Sequence, residues 1–480
     1  MWRWAARYQA VLTGRNRQTI AAILHGWRGA GTGQVGARVV KTSGIILGLV
    51  GVAVLSGCAK DDPILPGKRE GIRSILTEEI VLAEADPADD ISQAISLPAA
   101  TRNAEWTQAI GSPGTRIANP ALSRTPQRVW SVGIGAGDGR KNRITADPVV
   151  ADGRVYTLDA VARVSAVTTD GSLSWTRDLL PAGDGGSDAS GGGLAYGGGK
   201  LFVNSGFGLV TALNPATGEM LWQQNLRATG TGAPSVYGDL VYLVAGDDVA
   251  WALDTDTGRI AWQLAATPDL NNVQGGPAPA LTEKYAIFAF GANELQGAFR
   301  KGGLRLWDAQ VPGQRKGYSG ARVGDITGDP VIDGKTVYVG THSGRTVALN
   351  LGNGERLWTA TDGALGPVWP AGGSVFLVSD RNELLRLDAE TGDRIWGQPL
   401  PFFTKERPRR QSEIFAHHGP IIAGGQLIVA SSDGQIRFFD PESGAQTGSV
   451  DLPGGATSNP VVAGGTLYVV STNGQLHAFR

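Results

Sequence analysis

Cysteine is almost absent from this 480-residue chain: Cys58 stands alone, so no intrachain disulfide can form and no zinc cluster of cysteines is possible. Histidine occurs five times, with one adjacent pair, His417-His418. Neighbours in a strand point to opposite faces, so that pair does not hold one metal ion between them. Excess positive charge is lacking too. The net charge is −1, and because the first 57 residues hold seven Arg or Lys and no acid, the remainder carries −8. A mildly acidic body argues against nucleic acid as a partner. No glycine cluster opens a helix in the manner of a phosphate cradle, since Gly191-Gly192-Gly193 and Gly197-Gly198-Gly199 lie around a predicted strand. Asp147 and Asp329, each before a proline, read as strand-start residues that accept hydrogen bonds from nearby backbone N–H groups. Neither a cofactor nor a metal site is expected.

Glycine, by contrast, is abundant, at 70 residues, and with 25 prolines and two methionines it suits many short strands joined by tight turns. The stretch Ala252-Leu253-Asp254-Thr255-Asp256-Thr257-Gly258-Arg259-Ile260-Ala261-Trp262 is one copy of a repeating unit: a strand, a turn closed by Thr-Gly, and a second strand carrying a Trp. Further copies end at Trp222, Trp358 and Trp396, and looser ones at Trp175 and Trp307; a last copy has Gly448 where the Trp should fall. Successive anchors lie 38 to 52 residues apart, about the length of one four-stranded propeller blade. Arg128 to Val132, with Trp130, reads as a lone outer strand, and three strands after Thr457 lack one. Joining them closes the ring and leaves no open sheet edge at the seam. The expected fold is therefore all-β: an eight-bladed propeller with four-stranded antiparallel blades over 127–480, closed by pairing of the N-terminal strand with the C-terminal blade. The seven tryptophans fit blade packing better than a carbohydrate-binding surface, because their place in the repeat is fixed. The stretch Gly302 to Tyr318 reads as an insertion in the least regular repeat.

Upstream, Arg38 and Lys41 precede an apolar run from Ile45 to Val54 that ends in Leu55-Ser56-Gly57-Cys58. A charged region, a short apolar run and small residues before a cut describe a secretory signal over 1–57. Leu-Ser-Gly-Cys resembles the bacterial lipobox, in which the cysteine is acylated. The competing reading, a membrane helix with a buried thiol, suffers from the shortness of the run. Residues 1–37 exceed what a signal needs and suggest a start assigned too far upstream. Residues 58–126 show no period and read as a lipidated tether, with Trp106-Thr107-Gln108 near its end positioned to dock on the body.

The Ala-Leu-Asp-x-x-Thr-Gly-x-x-x-Trp repeat resembles that of pyrroloquinoline-quinone-type propellers. Together with the lipobox, the tether and the eight blades, residues 45–480 resemble the BamB family, propeller lipoproteins of the machinery that assembles β-barrels in the outer membrane. The resemblance implies a non-catalytic subunit held by lipid at the periplasmic face of the outer membrane, in accord with Ala59, rather than Asp, after the cysteine. It implies binding to the periplasmic POTRA domains of BamA within the BAM complex, with unfolded outer-membrane proteins as a further candidate partner. Two loops carry the family's contacts. One has a Leu-x-Leu-Arg-Gly pattern and reads Asn271-Asn272-Val273-Gln274-Gly275 here; the other, Arg-x-x-Asp-x-Asp, reads Arg322-Val323-Gly324-Asp325-Ile326-Thr327. The implied contact residues are Val273, Gln274, Arg322, Val323, Asp325 and Ile326, with Asp325 accepting from a partner cation or, alternatively, satisfying its own loop. Two other readings remain at this point. One is a general periplasmic scaffold; the other is a quinoprotein dehydrogenase relative, whose implied Cys-Cys clamp on the quinone a single cysteine cannot supply.

Overall fold

A computed structural model of the chain describes residues 92–480 except 231, 269–275, 314 and 316–324. The signal region and Cys58 lie outside the described residues. The body consists of eight four-stranded antiparallel sheets. Blades 1 to 7 span residues 149–178, 192–225, 235–265, 280–310, 331–360, 369–399 and 417–451. Blade 8 combines strands Val461–Ala463, Thr466–Ser471 and Gln475–Phe479 with Arg128–Gly133, whose Trp130 lies opposite Ala478. The ring is therefore shut by its own two ends, and the seam strand is held by a full ladder rather than by side chains alone.

Second strands such as Thr336–Thr341 are buried on both faces, which is why they are rich in β-branched and aromatic residues. The outer strands of blades 1 to 3 alternate between exposed and half-buried positions, with the Trp at a half-buried one, and in blades 4 to 6 that Trp is buried. That Trp performs one task around the ring. In each of seven blades it covers the Thr-Gly type turn of the following blade, as Trp130 over Gly171, Trp175 over Gly218, Trp222 over Gly258, Trp262 over Gly303, Trp307 over Gly354, Trp358 over Gly392 and Trp396 over Gly444. At Gly258, with φ +69°, an added Cβ would sit 2.5 Å from the Trp222 ring, so glycine meets both a backbone and a space requirement. Six of the seven indole N–H groups donate to a carbonyl of the covered turn, Trp222 to Thr255 O at 2.9 Å for example; Trp262 finds no acceptor. Gly448 departs from the pattern for a geometric reason. The blade that follows it is blade 8, whose last two strands come from opposite ends of the chain, so there is no turn there to cover.

The expected insertion at 302–318 is not one over its first part. Gly302-Gly303 make the ordinary turn over Trp262, and Arg305–Gln310 is the outer strand of blade 4.

Residues 103–120, in the stretch read as tether, circle one face of the ring and touch every blade in turn. Asn103 O accepts from Gly464 N of blade 8, Trp106 exchanges both backbone bonds with Val150 of blade 1, and Thr107 O accepts from Tyr196 N of blade 2. Gln108 does the same by side chain with Val236 of blade 3 at 2.8 and 3.0 Å. Pro113 O and Gly114 O then take Leu281 N and Ile332 N, the Arg116 guanidinium donates to Pro367 O and Val368 O, and Pro120 O takes Gly424 N. These are backbone groups of the inner strands and of the residues flanking them, and each finds a partner. Trp106, fully buried, packs 6.3 Å from Trp369 at the centre of this floor. The docking expected of Trp106 and Gln108 is thus part of a continuous closure of one face.

Candidate docking face and central funnel

The opposite face is built from the connections that lead from each outer strand to the next inner strand. The two connections singled out by sequence are neighbours there, running from blade 3 to 4 and from blade 4 to 5. Their ends are tied together: Ala278 N donates to Asp329 Oδ1 at 2.7 Å, and Asp325 lies beside Gly276 and Pro277 around a small hollow shared with Asp248 and Gly291. Asp325 bridges Gly291 in antiparallel fashion and Ile326 bridges Thr341. Both are buried, at 6% and 1% exposure, so neither is presented to a partner as a free side chain. Polarity and loop position suggested exposure for Asp325; the cross-strand bridge overrides it. Val273, Gln274, Arg322 and Val323 lie outside the described residues.

A residue that the sequence did not single out fixes the second connection. Arg315 forms a two-pronged pair with Asp380 (Nε to Oδ2 2.8 Å, Nη2 to Oδ1 3.1 Å) and also donates to Thr361 O at 3.0 Å. Both partners are largely buried, so the pair is less screened than a surface bridge and pins the connection to the turn at 379–382 of blade 6.

Between the two faces lies a funnel of about 490 Å³, lined by Asp147, Asp329, His418, Ser458 and Asn459 among others, with Ala109 at its floor. Asp147 accepts from Asn459 N at 2.7 Å and Asn459 Nδ2 at 2.9 Å. Asp329 accepts from Ala278. Both aspartates therefore bond to backbone N–H groups of a neighbouring blade, and not to the nearby ones expected. Depth in the funnel strips them of water, which raises Asp147 to about 7 and Asp329 to about 6 against the opposing influence of Arg116. Burial likewise lowers Arg116 to about 10 and His418 to about 4. His417 faces away from His418 and is occupied by Ser431 Oγ (2.7 Å) and Pro401 O (2.8 Å), which keeps the two apart as ligands. Among the described residues no three His, Cys, Asp or Glu side chains converge as a metal site would require.

A ring of Trp-anchored blades closed by its own termini, with a sealed floor and a loop-bearing opposite face, places the chain in the class of PQQ-like-repeat propellers. The model of the family described as outer membrane protein assembly factor BamB matches residues 160–398 and 405–480, and the chain belongs to that family. It is 24% identical over 327 residues to outer membrane protein assembly factor BamB of Yersinia pestis and 23% identical over 327 residues to that of Escherichia coli K12, covering 67% of this chain and 80% of the relative in both cases. Among solved structures, BamB from Moraxella catarrhalis superposes with a TM-score of 0.62 at 16% identity, covering 74% of this chain and all of that one. The quinohemoprotein alcohol dehydrogenase from Comamonas testosteroni superposes with 0.58 at 17% identity over 79% of this chain and 81% of its own, a likeness of fold alone.

Proposed function

We propose that this protein is a non-catalytic subunit of the outer-membrane β-barrel assembly complex, lipidated at Cys58 and held at the periplasmic face, where its loop-bearing face docks on the POTRA domains of BamA. The observation that carries the reading is the pairing of family membership with the adjacency of the two connections, which meet through Ala278 and Asp329. In this reading the contacts come from Val273, Gln274, Arg322 and Val323. Asp325 and Ile326, being buried, hold the base of the second connection instead of meeting the partner. The described ends of the two connections are tied to each other, so the contact residues they carry start from a fixed base, which lowers the ordering cost of docking. Unfolded outer-membrane proteins are a further candidate partner.

The experiment is affinity measurement between the full chain and the periplasmic region of BamA. The double variant Arg322→Glu, Val323→Asp is expected to weaken binding at least about tenfold, as charge reversal within a docking patch does. Unaltered affinity would remove the two loops from the interface, and no binding by the unaltered chain would remove the function.

A further inference from the structure

A second projection rises from the same face. The connection from blade 6 to blade 7 folds back on itself: Phe415 N donates to Phe402 O at 2.8 Å, Thr404 N to Glu413 O at 3.0 Å, and Phe403 bridges Ile414 in antiparallel fashion. The tip is the helical turn Pro408–Arg410. Four cations, Lys405, Arg407, Arg409 and Arg410, stand within six residues, all exposed, and among the described residues none is paired with a carboxylate. Glu406 and Glu413 leave the hairpin at +2, on a chain whose charge outside the signal region is −8. At its base Phe403 and Ile414 are exposed at 40% and 50%.

The hairpin is not free to wander. Asn382 Nδ2 donates to Phe415 O at 2.9 Å and to Pro401 O at 3.3 Å, and Asn382 belongs to the same turn that Arg315 grips through Asp380. A continuous line of hydrogen bonds therefore runs from the connection holding Asp325 to the turn at 379–382 and on to the hairpin base. We infer that the hairpin 402–415 is a second arm of the docking face, whose exposed cations and apolar base take an acidic protein surface on the partner bound by the two loops. This rests on the proposed docking to BamA. Like-signed charges held out from an oppositely charged body do not fold back on it without losing their hydration, and they steer a partner of opposite sign from a distance of about a Debye length. The hydrogen-bonded line from the 311–330 connection to the hairpin base sets both on one face, which makes that partner the same molecule. An anionic lipid surface is the competing occupant of such a tip.

The test uses the full chain with Cys58→Ser, so that no acyl chain brings it to lipid, and the charge-reversed chain carrying in addition Lys405→Glu, Arg407→Glu, Arg409→Glu and Arg410→Glu. With the periplasmic region of BamA as probe, reversal is expected to weaken binding at least about tenfold at low salt, with the two chains converging as salt rises, while Arg322→Glu weakens binding separately. Unchanged affinity on reversal, with the Arg322→Glu loss intact, overturns the hairpin's role and leaves the docking function standing. Failure of the unreversed chain to bind overturns both. Co-sedimentation of the unreversed chain, and not the reversed one, with phosphatidylglycerol vesicles, together with unchanged BamA affinity, assigns the hairpin to lipid and overturns the proposal.

Discussion

Placing a methyl group on Gly258 tests the contact that repeats around the ring. The added Cβ would lie 2.5 Å from Cε3 and 2.7 Å from Cδ2 of Trp222, far inside contact distance, and the backbone there has φ +69°. The conformational part of Gly258→Ala costs roughly 1–2 kcal/mol, and forcing the indole aside adds roughly 1–3 kcal/mol of overpacking. Trp222→Ala costs roughly 3–5 kcal/mol by loss of burial, with the hydrogen bond to Thr255 O lost as well. In the double variant the methyl group no longer meets an indole, so only the conformational part of the glycine substitution remains. The two losses should therefore fall short of additivity by roughly 1–3 kcal/mol. Chemical denaturation followed by far-ultraviolet circular dichroism reads all four corners of the cycle. Additivity within about 0.5 kcal/mol would refute the idea that each Trp selects the glycine of the next blade.

The remaining expectations follow from the same geometry. Gly448→Ala should be close to neutral in the same denaturation assay, since the nearest atom to its added Cβ is Phe438 Cδ2 at 3.9 Å and no turn lies beneath it. Trp106→Ala should cost roughly 3–5 kcal/mol and make the 103–120 segment sensitive to limited proteolysis; an unchanged melting temperature would detach that floor from the ring's stability. Asp147 has a folded-state pKa of about 7, above its unfolded value, so the folded state holds the extra proton and stability from this group falls as pH rises from about 4 to about 7. Denaturation midpoints at pH 5 and pH 8 should thus differ less for Asp147→Asn than for the unaltered chain; an equal difference would place that carboxyl in water. Arg315→Ala should leave the ring folded but speed proteolytic cleavage between 311 and 330, because the pair with Asp380 is what ties that connection to blade 6.

The ring was legible because its defining contact is written twice in each repeat, once as the Thr-Gly turn and once as the Trp, and because a strand with Trp130 but no companions required three unpartnered strands elsewhere. Even the missing Trp at 448 follows from the closure. The floor was less legible. Its segment has no period, and its bonds are scattered backbone and side-chain contacts to eight different blades, so the sequence marks only Trp106-Thr107-Gln108. At the loop-bearing face and in the funnel, residue type misled. Asp325 reads as surface by its charge, yet a bridge to Gly291 buries it. Asp147 pairs with Asn459, 312 positions away, a contact no local rule anticipates. Arg315 lay inside a stretch read as an insertion, and its partner Asp380 belongs to a blade two places on from the one it leaves.

Photo-crosslinking in living cells tests the docking of this ring most directly. A crosslinking residue at Val323 should capture BamA, whereas one at Lys335, exposed on the floor side of blade 5, should not. Capture from Lys335 with none from Val323 would contradict the account.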